Sequence, residues 1–246
     1  MKNLLVVFII CLLSGCATNQ SSEEIPDPYE PVNRVSYNFT DALDRAILKP
    51  VAEAYMENTP QLVRTSITNF FDNLTYLNVV LNSFLQGKFD QGIADMLRFI
   101  YNSTAGLAGL VDVGSKIGLE EHDEDLGQTL AVWGVDEGAY LFIPVRGPDS
   151  VRKLPDIATS TLLNPLTYVT GAVLFPLTAV NIINTRANLL DATNVRDEAA
   201  VDPYTFTREA YHQRRRFLIY DGNPPLEGYD DIFDNGAEEE GILKIE

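Results

Sequence analysis

Positive charge is scarce in this sequence. Eighteen lysines and arginines stand against 35 aspartates and glutamates, a formal net charge of −17 over 246 residues. A field of that sign repels phosphate polyanions and anionic bilayer surfaces, which speaks against nucleic acid as a partner. Any membrane attachment must then rest on apolar burial or covalent lipid. Histidine is scarcer still: only His122 and His212 occur. No zinc spacing, G-x-S-x-G elbow, Walker loop or dinucleotide fingerprint appears, so no metal, cofactor or catalytic residue is assigned. Because catalytic groups assemble in space, this alone does not exclude an enzyme.

Cysteine is nearly absent as well, with Cys11 and Cys16 alone. Both lie in MKNLLVVFIICLLSGCA, which places Lys2 before an apolar run from Leu4 to Leu13 and small residues before Cys16. Ten apolar residues span roughly 15 Å as a helix, half the roughly 30 Å hydrocarbon core of a bilayer. Residues 1–15 therefore read as a signal peptide instead of an anchor. Leu13-Ser14-Gly15-Cys16 resembles a bacterial lipoprotein cleavage site, in which the cysteine becomes residue one and is lipidated. Cys11 leaves with the signal, so neither a disulfide nor a free thiol is expected in the mature chain. Ala17, where inner-membrane lipoproteins usually carry Asp, points to the outer membrane. Residues 16–26 form a short polar tether, and 221–246 an acidic flexible tail.

The third absence is of charge over a long segment. From Ile157 to Thr185 there are 29 residues without Asp, Glu, Lys, Arg or His, among them LLNPLTYVTGAVLFPLTAVNIINT. Pro165, Gly171 and Pro176 divide it, and a proline inside a helix costs about 3 kcal/mol. The pieces are then about 10 residues, or roughly 15 Å, too short to cross a bilayer. Two short apolar helices lying in one leaflet, or a re-entrant hairpin, fit this pattern; burial in an ordinary core is the alternative.

What the chain does have is helical periodicity. With 46% hydrophobic residues it can bury a core, so wholesale disorder is excluded. Asp27-Pro28 with Glu30 reads as a capped helix start, followed by Val32, Val35, Phe39, Leu43 and Ile47 at helical spacing, with a kink or stop at Pro50. A second helix from Pro60 to Gly87 carries Val63, Ile67, Phe70, Phe71, Leu74, Leu77, Leu81, Phe84 and Leu85, and a third carries Ile93, Leu97 and Ile100. AYLFIPVRGP can form a short extended piece, though Pro144 and Pro148 make it a poor central strand. The acidic run from Glu120 to Asp125 around His122, and Arg214–Arg216 beside His212, read as solvated. Asn69 with Asn73 and Asn78 with Asn82 sit one turn apart in apolar surroundings. Buried amides need partners, so these either bond helix to helix or line a polar path. Fold class is all-α, one helical domain over 27–220.

At this point the residues carry a resemblance. DPYEPVNRVSYNF, LDRAILKPVAEAY, NFFDNL, LNSFLQGK, RFIYNSTAGLAGLVDVG, EDLGQTLAVWGV, PVRGPDSVRK and DPYTFTREAYHQRRRF occur in this order. Together they resemble the MlaA (VacJ) family of outer-membrane lipoproteins from Asp27 to about Tyr220. Leu126 and Ala131 depart from the family's EDFGQTLG, and Ala139 from its G-P-Y. The resemblance implies a ring of amphipathic helices around a polar channel, embedded in the inner leaflet of the outer membrane. It further implies association with a trimeric porin and removal of stray phospholipid from the outer leaflet. The lipid would pass to a soluble periplasmic carrier (MlaC-like), with no bond broken. On that reading Cys16 is the lipid attachment site, and Asn69, Asn73 and Arg98 are candidates for the lipid path. Leu166, Val173, Leu174, Phe175 and Leu177 would form a membrane-facing rim. Gly87, Gly106 and Gly109 suit tight turns, and Trp133 and Phe70 suit packing. The competing readings are a lipid-hydrolysing enzyme using His122, and a lipoprotein that only braces a porin.

Overall fold

A computed structural model describes residues 27–225. The segments expected to be signal peptide (1–15) and tether (16–26), with Cys16, and all but the first five residues of the expected tail (221–246) lie outside the described residues. Ten α-helices occur among the described residues: α1 (Glu30–Leu43), α2 (Lys49–Asn58), α3 (Gln61–Leu85), α4 (Phe89–Thr104), α5 (Val113–Lys116), α6 (Leu126–Val132), α7 (Asp156–Leu163), α8 (Gly171–Asn188), α9 (Leu190–Ala199) and α10 (Pro203–Ile219). The expected all-α class holds, with one small exception. AYLFIPVRGP does form strands, β1 (Tyr140–Ile143) and β2 (Gly147–Ser150), paired antiparallel with Phe142 opposite Pro148. A two-stranded hairpin has only edges, so Pro148 can sit in it without breaking a ladder on its other side.

Three helix boundaries differ from expectation for local reasons. Asp27 does not cap α1; the helix starts at Glu30 after Tyr29, without a side-chain cap. The Asp27 carboxylate instead accepts from Asn33 Nδ2 at 2.9 Å and from the Tyr204 hydroxyl. Pro50 does not stop its helix. It cannot donate to Ala46, and the chain bridges the defect with a π-helical turn over Asp44–Leu48 before α2. Pro176 lies inside α8, so the expected break there is absent and α8 runs for 18 residues. One lost backbone bond in the second turn is tolerated because the rest of the helix packs against α2 and α3. Even so, no helix among the described residues is long and apolar enough to cross a membrane.

The helices close into a circuit. α1 leads through the π turn to α2, α2 packs on α8, and α8 packs on α3. α3 packs on α6, α6 on α10, α10 on β2, and β1 returns to α1. α3 and α4 form an antiparallel pair joined at Gly87, whose φ of +79° is a left-handed conformation that glycine adopts without steric cost.

What this circuit buries is mostly polar. Twenty polar or charged residues are buried among the described residues against ten hydrophobic ones. The apolar core is two small clusters: Tyr37, Tyr140, Phe142 and Tyr204, and Ala52, Ala187 and Leu190. Meanwhile the apolar stripes face outward. On α4, Gly92, Asp95, Arg98 and Asn102 share one face and are buried, whereas Ile93, Met96, Leu97, Ile100 and Tyr101 are exposed. On α1, Asn33 and Tyr37 are buried while Val32, Val35 and Phe39 are exposed, Val35 by 70%. A soluble monomer rarely exposes so many apolar side chains together, so such surfaces mark contact with protein or membrane.

The uncharged segment follows the same pattern. Between Ile157 and Thr185 only Asn184 is buried, so the alternative of a sealed core does not hold. Phe175 is 74% exposed, Val173 is exposed, and Leu166, Leu174 and Leu177 are half-buried. Leu174, Leu177, Asn181 and Asn184 fall on the less exposed face of α8. Asn184 is held there by the Tyr55 hydroxyl at 2.9 Å and donates to Thr68 Oγ1 at 2.8 Å.

A polar cleft between α3, α4 and the glycine-rich segment

The polar residues of α3 divide by function along its length. Asn78 donates to Asp156 Oδ1 at 2.9 Å, and that oxygen also accepts from the Leu126 N–H at 3.0 Å. Asn82 donates to the Asn78 carbonyl at 2.8 Å and accepts from Thr129 Oγ1 at 2.7 Å. This pair therefore ties α3 to α6 and α7, as helix-to-helix bonding requires. Asn69 and Asn73 lie elsewhere. With Asp72 and Tyr76 they line a small recess of about 20 Å³, room for one group the size of a water or an ammonium, that opens to solvent. Its opposite wall is Arg98 and Asn102 of α4, with Asp112 and Glu121 beyond. The three residues singled out in the sequence, Asn69, Asn73 and Arg98, thus meet in one place.

Arg98 is the framework of this cleft. It is only 3% exposed, and its guanidinium donates to Ser115 Oγ at 2.9 Å, the Leu119 carbonyl at 2.8 Å, Asp112 at 2.9 Å and Glu121 at 3.1 Å. Four acceptors on one cation hold the segment from Asp112 to Glu121 against α4. Gly109, with φ +92°, presses from the same side: a Cβ there would sit 2.4 Å from Asn73 Cβ. Asn102 completes the frame, accepting from the Val113 and Gly114 N–H groups at 2.8 Å each.

Behind the cleft lies a buried carboxylate. Asp95 is fully buried and receives the Tyr76 hydroxyl at 2.9 Å, the Ser83 hydroxyl at 2.8 Å and His122 Nδ1 at 2.8 Å. The Ser83 hydroxyl points at the carboxylate, not at the imidazole. A nucleophile–base pair needs the reverse order, so this cluster lacks hydrolase geometry.

The acidic loop is solvated only in part: Glu120, Glu121 and Asp123 are exposed as the sequence suggested, whereas Glu124 and Asp125 are buried. Glu121 meets Arg98, Asp123 meets Arg214 at 3.1 Å, and Glu124 accepts from Lys88 at 2.8 Å and from Gln86 at 2.7 Å. Asp125 caps α6 through the Gln128 N–H at 2.8 Å and takes a two-pronged bond from Arg215 at 2.5 and 2.9 Å. Arg215 and His212 are accordingly buried, while Arg214 keeps the solvated position the sequence suggested for the whole cluster. Trp133, expected to pack inside, leaves its ring exposed and donates its Nε1–H to the Leu85 carbonyl at 3.1 Å. An apolar ring with a tethered polar edge suits a membrane–water boundary.

Among the described residues no cluster of metal-ligating side chains occurs. The candidates Asp72, Tyr76, Asn102, Asp112 and Glu121 were not picked out from sequence. For Asp72 and Tyr76 the signal was available on α3, where Asn69, Asp72, Asn73 and Tyr76 repeat at three- and four-residue spacing, and for Asn102 it was its place one turn after Arg98.

Comparison with known proteins is decisive at this point. The family model for the MlaA lipoprotein matches residues 25–218. This chain belongs to the MlaA family. It is 34% identical over 218 residues to the intermembrane phospholipid transport system lipoprotein MlaA of Escherichia coli (strain K12), covering 86% of each chain. It is 35% identical to an uncharacterized protein of Rickettsia bellii, over 84% of this chain and 82% of that one. A solved chain from work on the structural basis for maintenance of bacterial outer membrane lipid asymmetry superposes with a TM-score of 0.70 at 34% identity. That match covers 79% of this chain and all of the other. The circuit of helices is therefore a fold shared with that chain.

Proposed function

We propose that this chain is an outer-membrane lipoprotein, anchored through lipid on Cys16 at the periplasmic side, that removes phospholipid from the outer leaflet. The ring lies in the inner leaflet, the headgroup moves along its polar interior, and the tails stay in hydrocarbon. The lipid then leaves to a soluble periplasmic carrier of the MlaC kind, and a trimeric porin holds the ring in place. The observation that carries this reading is the inverted burial of α1 and α4, apolar side out and polar side in. A headgroup taken through hydrocarbon without hydrogen bonds would cost several kcal/mol, and a polar interior removes that cost. The relatives' role in intermembrane phospholipid transport supports the same reading.

A strain lacking the chain should accumulate phospholipid in the outer leaflet, measured by accessibility to an external phospholipase or amine label. The wild-type chain should restore the normal level, and Cys16→Ala should not. An unaltered surface-phospholipid level in the deletion strain, with porin association intact in the parent, would leave only a bracing role.

A further inference from the structure

Resting on the reading above, we infer that the cleft lined by Asp72 and Asn73 receives the primary ammonium of an ethanolamine headgroup, and so favours phosphatidylethanolamine over anionic phospholipid. The cleft is acidic and has acceptors left over. Three carboxylates, Asp72, Asp112 and Glu121, line it against the one cation Arg98. Arg98 is already committed to Asp112 and Glu121, and both its Nη atoms are bonded to acceptors, so it has little to offer a phosphate. Asp72, by contrast, has no side-chain donor among the described residues.

A second observation, independent of the acidic groups, points the same way. Asn73 is only 7% exposed, lines the cleft, and spends its Nδ2 on Ser103 Oγ at 3.0 Å. Its Oδ1 accepts nothing. A buried acceptor without a donor is uncommon and calls for a ligand or water that supplies one. A carboxylate and a carbonyl-type oxygen that both lack donors match an ammonium group, which brings one positive charge and three N–H bonds.

Charge balance agrees with geometry. Burial, with Glu121 and Asp123 nearby, pushes the Asp72 carboxyl up to about 6. The site therefore lacks the positive charge that would settle this carboxylate, and a bound ammonium would provide it. Asp72 itself is an exposed residue, so water solvates its carboxylate until an ammonium displaces it. A glycerol headgroup brings hydroxyl donors but no cation to meet the carboxylates, and a choline headgroup brings charge without N–H donors.

The test uses the full lipoprotein extracted from cells whose membranes contain both ethanolamine and glycerol phospholipids. Co-purified lipid is quantified by mass spectrometry against the parent membrane. The wild-type chain should be enriched in the ethanolamine lipid several-fold. Asp72→Asn should return the ratio to that of the membrane, and Asp72→Lys should invert it. A wild-type ratio equal to the membrane's, or one unmoved by both substitutions, overturns the proposal while leaving the conduit intact. Absence of any bound phospholipid would sink the conduit reading itself. Free ethanolamine at equal concentration should compete poorly with short-chain phosphatidylethanolamine; equal competition would mean that the cleft reads a small amine, not a lipid.

Discussion

Arg215→Met is expected to lower the stability of the domain by about 3–5 kcal/mol, the usual result of removing one partner from a buried ion pair. Arg215 is buried at the join between α10 and α6, and its two bonds to Asp125 connect residues 90 positions apart. Asp125 holds more than this arginine: it caps α6 and lies 3.3 Å from Lys153 Nζ. Burial pushes its carboxyl up, but the hydrogen bond and charge of Arg215, with Lys153, more than offset this and hold it below the ordinary value. A carboxyl depressed in the folded state contributes stability above its unfolded value and loses it as pH falls through the folded one. The Arg215–Asp125 contribution should therefore be constant near neutrality and fade in acid below about pH 4. Denaturant titration of the two proteins in detergent checks both points. A loss under 1 kcal/mol at pH 7, or a difference that grows in acid, would show that the pair does not join the two helices.

Phe175→Asp is expected to act in the opposite way, with little effect on stability and a large one on membrane residence. The ring is exposed, so the fold loses few contacts. Burying a phenylalanine side chain in an apolar phase contributes about 1.5–3 kcal/mol. Replacing it with a carboxylate removes that term and adds the cost of bringing a charge to hydrocarbon. Combined with Val173→Asp, roughly a hundredfold weaker partition into vesicles follows, since each 1.4 kcal/mol is a factor of ten. The comparison should use a Cys16→Ala chain, because the acyl chains proposed at Cys16 would by themselves hold the protein firmly. Unchanged vesicle flotation of the double variant, with its melting also unchanged, would mean that α8 does not touch lipid.

Both predictions arise from features that the sequence exposed unequally. The helical class and the polar spacing of Asn69 and Asn73 on α3 were legible, because spacing along one helix is local information. Ile93, Leu97 and Ile100 were equally visible as a stripe, yet their direction was not. Periodicity shows that a helix has two faces, and only the neighbours decide which faces inward. Here Asp95, Arg98 and Asn102 take the interior because they find hydrogen-bond partners there. The partners of the loop from Glu120 to Asp125 were hidden for a related reason. Lys88, Arg214 and Arg215 lie dozens of residues away, so a local reading saw only unpaired charge. Pro176 misled in the other direction: its local cost is real, but tertiary packing along α8 absorbs it.

The most direct test of the account is where the outer face of the ring sits. The chain has one tryptophan, so Trp133→Phe combined with Phe175→Trp gives a single fluorescent probe on α8. In reconstituted bilayers, phospholipids brominated on their acyl chains should quench this probe strongly, and aqueous iodide should barely reach it. The same probe placed by Asp72→Trp, in the cleft, should show the reverse order. Strong iodide quenching at position 175 without quenching by brominated chains would contradict the account, because the apolar exterior would then be facing water or protein instead of lipid.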